Sequence, residues 1–107
     1  MREITCSTIT DAIKKMCIEA ATILPQDVEK ALSQKHDEED SALAQKTLQV
    51  LMDNAKLAQE KQMPICQDTG MAFVYVTMGQ EVHITGGSLN EAIQEGVRQG
   101  YTEGYLR

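Results

Sequence analysis

The sequence predicts an α+β chain: a mostly helical N-terminal part of about three helices, followed by a β-hairpin and a further, glycine-containing helix. Three observations carry that reading. Aliphatic residues recur at the i, i+3, i+4, i+7 spacing of a buried helical face over most of residues 10–61. The texture then breaks at Met63-Pro64-Ile65-Cys66-Gln67-Asp68-Thr69-Gly70, which holds a helix breaker, a glycine and several small polar groups. Beyond it lies an apolar, β-rich run that ends at Gly79 and is followed by an alternating one.

The first helix is expected from Thr10 or Asp11 to Leu24, with Thr10 as N-cap and Ile13, Met16, Cys17, Ala20, Ala21 and Leu24 on the buried face. Cys17 falls on that face and reads as a small core hydrophobe. Pro25 closes this helix and suits the first turn of the next, expected from Gln26 to about Lys35 with Val28, Ala31 and Leu32 as its apolar stripe. His36-Asp37-Glu38-Glu39-Asp40 reads as a solvated acidic turn, whose carboxylates also favour the positive end of the helix that follows. That third helix is expected from Ser41 to about Lys61, burying Leu43, Thr47, Val50, Leu51, Leu57 and Ala58.

Met71 to Met78 is expected to be a strand buried on both faces. Gly79-Gln80 would turn it back on Glu81–Thr85, a half-exposed antiparallel partner. Gly86-Gly87 leads into Ser88-Leu89-Asn90-Glu91, a capping box that starts the last helix. That helix carries Gly96, Gly100 and Gly104, each costing roughly 1 kcal/mol relative to alanine in a helix interior. Close approach of another backbone or a ligand is the usual compensation. The chain stops at Tyr105-Leu106-Arg107 with no proline or polar tail, which reads as a truncation.

Composition narrows the function. With 107 residues, 10 Lys+Arg against 16 Asp+Glu and a net charge of −6, the chain is one domain at most and lacks the basic stripe of a nucleic-acid binder. Aromatics are scarce: three Tyr, one Phe and no Trp. No apolar run spans a bilayer, and Met1-Arg2-Glu3-Ile4-Thr5-Cys6 has no signal core, so no membrane partner and a cytoplasmic location are expected. Three cysteines, Cys6, Cys17 and Cys66, do not make a disulfide scaffold. Cys66 stands apart, in a loop between a long helix and an apolar run, where scaffolds display functional groups. Taken alone it has no Cys-x-x-Cys companion and no histidine that the spacing places beside it.

Ile65-Cys66-Gln67-Asp68-Thr69-Gly70-Met71, the apolar run and Gly79-Gln80 after it resemble the start of the catalytic region of class I, iron–sulfur fumarate hydratases. The likeness continues through Gly86-Gly87-Ser88-Leu89, Glu91-Ala92-Ile93, Glu95-Gly96-Val97 and Gly100-Tyr101 to Glu103-Gly104-Tyr105-Leu106-Arg107. Upstream it includes Leu24-Pro25 and Asn54-Ala55-Lys56-Leu57-Ala58. Residues 1–107 thus resemble the N-terminal fragment of the family's α-type catalytic domain. The L(+)-tartrate dehydratase α subunit shares the Cys-Gln-Asp-Thr-Gly segment, whereas Met71 and the Glu103–Arg107 stretch are more similar to the fumarase branch.

The resemblance implies a hydro-lyase that interconverts fumarate and (S)-malate, with tartrate dehydration as the close variant. It implies a [4Fe–4S] cluster held by three cysteines, whose open iron serves as Lewis acid. Cys66 would be the first cluster ligand. Gln67 and Asp68 would contact the dicarboxylate substrate, and Arg107 would pair with a carboxylate through its guanidinium fork. The other two cluster cysteines, the catalytic base and a β subunit or C-terminal domain would lie outside this sequence, in an oligomeric enzyme. On that basis the chain alone is expected to hold no cluster and to be inactive. The competing reading is a non-catalytic helical module that docks through an exposed Gly96/Gly100/Gly104 face.

Overall fold

The computed structural model describes residues 1–107. The elements run β1 (Arg2–Thr5), α1 (Cys6–Thr22), α2 (Gln26–Glu38), α3 (Ala42–Lys61), β2 (Val82–Thr85) and α4 (Leu89–Glu103). The chain is α+β and mostly helical, with one small sheet. Its residues group into two compact units, Met1–Glu19 with Gln67–Arg107, and Ala20–Cys66.

In the first unit the sheet is parallel, not a hairpin. Arg2 pairs with Val82, Glu3 with His83, Ile4 with Ile84 and Thr5 with Thr85, extended by the Arg2 amide donating to the Glu81 carbonyl at 2.8 Å. The expected strand at 71–78 does not form: residues 66–79 carry no regular structure, and 71–81 are all exposed. Tyr75 is 92% and Phe73 73% exposed. β2 has taken a partner from the far end of the sequence, so the antiparallel edge that 71–78 would have used is not made. Val82 does donate to the Gly79 carbonyl at 3.2 Å, so a turn exists at 79–82, but it feeds a parallel strand. Val76 to Gly79 instead wall an apolar cavity of about 210 Å³ with Ile4, Ile13, Val82 and Ile84.

The first helix begins four residues earlier than its periodicity suggests. The Thr5 hydroxyl, not that of Thr10, accepts from a first-turn amide, Thr8 N–H, at 3.3 Å. Thr10 lies inside α1 and donates its hydroxyl to the Ala92 carbonyl at 2.9 Å. This bond ties α1 to α4. Ser88 caps α4 as expected, accepting from the Glu91 amide.

The glycines of α4 explain that approach. A Cβ on Gly96 would stand 2.6 Å from Ile13 Cβ and 2.8 Å from the Thr10 carbonyl oxygen; one on Gly100 would stand 2.9 Å from Cys17 Cβ. Gly96 and Gly100 are buried, as are Ile13 and Ala92. The face offered above as an exposed docking surface is therefore covered by α1 of the same chain. Gly104 is not interior to the helix but its C-cap, with its amide on the Gly100 carbonyl.

In the second unit α2 and α3 form a helical hairpin joined by Glu39-Asp40-Ser41. The acidic turn is shorter than expected, because α2 runs on through His36, Asp37 and Glu38. Ser41 caps α3 by accepting from the Ala44 amide at 3.3 Å. Burial on α3 differs from expectation: only Ala58 is buried, while Leu43 (77%), Val50 (58%), Leu57 (52%) and Leu51 (48%) are exposed. Met16 and Ala20 of α1 are exposed as well. The inward face of α3 is made by Ala44, Leu48, Met52 and Ala55, on the side turned to α2.

Candidate functional site

α3 ends at Gln62, which takes a left-handed conformation (φ 53°) and turns the chain into Met63-Pro64-Ile65. Ile65 is then fixed through both of its main-chain groups. Its amide donates to the Ala21 carbonyl at 2.9 Å, and its carbonyl accepts from the Asn54 side-chain amide at 2.7 Å. The Met63 amide also returns to the Ala58 carbonyl at 2.9 Å. Cys66 follows directly on this anchored residue and is exposed. A thiol on a pinned main chain with its side chain open to its surroundings is a geometry suited to ligation.

Gln67, Asp68, Thr69 and Gly70 continue as exposed irregular chain. Asp68 uses one carboxylate oxygen to accept from the Thr69 amide at 3.1 Å. The Gly70 amide donates to the Arg107 carbonyl at 3.4 Å. That contact brings the main chain of Arg107 to the end of the Cys-Gln-Asp-Thr-Gly segment. The Arg107 guanidinium makes no ion pair with Asp68. Of the four residues singled out by the sequence, Cys66, Gln67 and Asp68 are consecutive in sequence and exposed, and Arg107 is linked through its carbonyl to the Gly70 amide.

The other thiols are engaged elsewhere. Cys6 donates to the Ser88 carbonyl at 3.7 Å. Cys17 packs against Gly100, and burial pushes its thiol pKa up, which suppresses the thiolate needed to bind metal. No group of three or more His, Cys, Asp or Glu side chains gathers anywhere in the chain. A [4Fe–4S] cluster needs a set of thiolates. One exposed cysteine does not fit such a cluster by itself.

Asn54 is the residue that sequence reasoning missed. It lies within a segment noted only for its likeness, yet its amide is what fixes the residue before Cys66. An asparagine on the outer side of a helix whose loop doubles back was the available signal.

The family profile described as Fumarate hydratase (Fumerase) matches residues 10–107. The chain belongs to the fumarate hydratase family. It is 36% identical over 100 residues to a putative L(+)-tartrate dehydratase subunit alpha from Methanocaldococcus jannaschii, covering 92% of this chain and 35% of that protein. It is 32% identical over 98 residues to a putative fumarate hydratase class I from Geobacillus stearothermophilus, covering 91% of this chain and 19% of that one. With the L(+)-tartrate dehydratase subunit alpha of Escherichia coli K12 it shares 26% identity over 99 residues, covering 92% and 32% of the two. This fumarase-family chain therefore spans about a third or less of the length of these relatives. No helix in it is long and apolar enough to cross a membrane.

Proposed function

We propose that this chain is the N-terminal portion of the α-type catalytic region of an iron–sulfur hydro-lyase that hydrates fumarate to (S)-malate. The supporting observation is the exposed Cys66, which directly follows the anchored Ile65; within the other unit the Gly70 amide meets the Arg107 carbonyl. In this reading Cys66 contributes one thiolate to a [4Fe–4S] cluster whose remaining ligands come from elsewhere in the longer protein. Gln67 and Asp68 face the substrate dicarboxylate, and Arg107 binds one of its carboxylates. A guanidinium does this better than an ammonium because its fork matches the two oxygens.

The remaining partners follow from the same reading: a β subunit or C-terminal domain that completes the site, in a cytoplasmic, oligomeric enzyme. The chain alone, with one cysteine at the site and the catalytic base expected from elsewhere in the longer protein, neither holds the cluster nor catalyses hydration. Dehydration of L(+)-tartrate is the second reading, supported by the 36% identity to a tartrate dehydratase α relative.

The test uses the complete protein, reconstituted anaerobically with iron and sulfide and assayed on fumarate, (S)-malate and L(+)-tartrate side by side. Turnover of fumarate and malate supports the first reading, and turnover of tartrate alone the second. Arg107→Lys is expected to raise KM for the dicarboxylate by roughly tenfold or more with a smaller effect on kcat, as loss of a bidentate charged hydrogen bond would. An unchanged KM would remove Arg107 from the site.

A further inference from the structure

At the end of α4 a glycine and a tyrosine stand in the reverse of their usual order. A helix that closes on a left-handed residue commonly places glycine there, because a side chain on that backbone is crowded by its own main chain. Here Gly104 takes the right-handed cap position (φ −87°) and Tyr105 the left-handed one (φ 54°). The glycine is held at 104 by its neighbours. A Cβ there would stand 2.9 Å from Ile18 Cγ1 of α1 and 3.3 Å from Leu106 Cγ. Tyr105 therefore makes the reversal that glycine would make more cheaply.

The reversal closes a turn. The Leu106 amide returns to the Tyr101 carbonyl at 3.0 Å, the six-to-one bond of a Schellman motif, and the Leu106 side chain folds back towards Gly104. Arg107 leaves this turn with its carbonyl accepting from the Gly70 amide at 3.4 Å. With Tyr105 right-handed, α4 would run on and carry Arg107 along the helix axis instead. We infer that Tyr105 is a positioning residue for dicarboxylate binding: its left-handed backbone sets Arg107 beside Gly70, the end of the Cys-Gln-Asp-Thr-Gly segment. This rests on the reading that Arg107 binds a substrate carboxylate. The main chain, not the ring, carries the role, since the ring is 87% exposed and its hydroxyl makes no hydrogen bond within the chain. A guanidinium fork is effective only when it is held in place, because a misplacement of about 1 Å in a binding group is felt in turnover and affinity.

Steady-state kinetics of the complete, cluster-reconstituted protein test this, on whichever dicarboxylate it turns over and with iron content measured for each variant. Tyr105→Ile puts a β-branched residue where φ must be positive. It is expected to raise KM about fivefold, with kcat within about twofold and iron content unchanged. Tyr105→Gly adopts the same backbone without strain and is expected to bring KM back to within about twofold of wild type. Arg107→Lys, run alongside, separates the two claims. A raised KM in Arg107→Lys with an unchanged KM in Tyr105→Ile would overturn the role of Tyr105 and leave that of Arg107. A Tyr105→Gly protein as impaired as Tyr105→Ile would overturn it too, as would a Tyr105→Ile protein that loses iron and kcat with KM unmoved. An unchanged KM in Arg107→Lys would overturn the carboxylate role of Arg107, and this inference with it.

Discussion

Two stretches of the chain carry the same kind of promise in sequence and resolve it in opposite ways. The α1–α4 contact and the segment from Met63 to Gly79 both combine glycine with apolar residues in a pattern that asks for close burial. In the first, the request is met inside the chain: Gly96 and Gly100 admit Ile13 and Cys17, and the Thr10 hydroxyl closes the contact on the Ala92 carbonyl. In the second, the main chain is tied down at Ile65 and Gly70 while Met71, Phe73 and Tyr75 remain exposed. The difference separates scaffold from site. A glycine in a helix is compensated by whatever fills its place, whereas an apolar segment without a partner strand remains unfilled. The anchored residue at the head of that segment is followed directly by Cys66.

Substitutions sharpen this contrast, the largest effects falling on the closed contact. Gly96→Val should destabilise the fold by about 3 kcal/mol or more, since its Cβ meets a main-chain oxygen that cannot move aside. Gly96→Ala should still cost about 1–2 kcal/mol, despite the roughly 1 kcal/mol that alanine gains in helix propensity. Urea midpoints measure both, and a neutral Gly96→Val would mean the helices are not packed as described. Gly70→Ala provides the control from the open region. Nothing lies within 4 Å of its Cβ position and its φ is not in the left-handed region, so its effect should stay within about 0.5 kcal/mol.

Asn54→Ala removes the amide that holds the Ile65 carbonyl and should cost about 1 kcal/mol. Its clearer signature is local: faster protease cleavage between Met63 and Gly70 while the α1–α4 contact stays intact. Equal loosening of both regions would show that they are not separable. The smallest effect concerns Glu95, whose carboxyl is held down to about 2 by hydrogen bonds from Arg98 and then Gln99. A depressed carboxyl pKa contributes stability above the unfolded value of 4.5 and loses it as pH falls towards about 2. The group is fully exposed, so Glu95→Gln should flatten the acid limb of the stability profile only slightly, and only in that window.

Local signals were the legible ones. Ser41 and Ser88 announce their helices because a cap is decided by four consecutive residues. The α4 glycines announce a close approach because they are costly without one. The β1–β2 pairing was not legible: it joins residues 80 apart, and a four-residue strand of Arg, Glu, Ile and Thr carries little β pattern of its own. The strand expected at 71–78 failed for the complementary reason. Its composition was read correctly as apolar, but composition does not supply a partner. The exposed residues of α3 show the same limit, since periodicity finds two apolar faces on one helix and cannot say which is turned to α2. In the candidate site, Cys66 was legible through resemblance and Asn54 was not, because a side-chain bond across a reversing loop leaves no periodic trace.

The central claim is that Cys66 is displayed on an anchored loop to serve as a cluster ligand. The most direct measurement is iron and sulfide content, with the visible absorbance of the cluster, after anaerobic reconstitution of the complete protein carrying Cys66→Ser, with Cys17→Ser alongside. The account predicts that Cys66→Ser loses the cluster and that Cys17→Ser keeps it. A full cluster in the Cys66→Ser protein would contradict it.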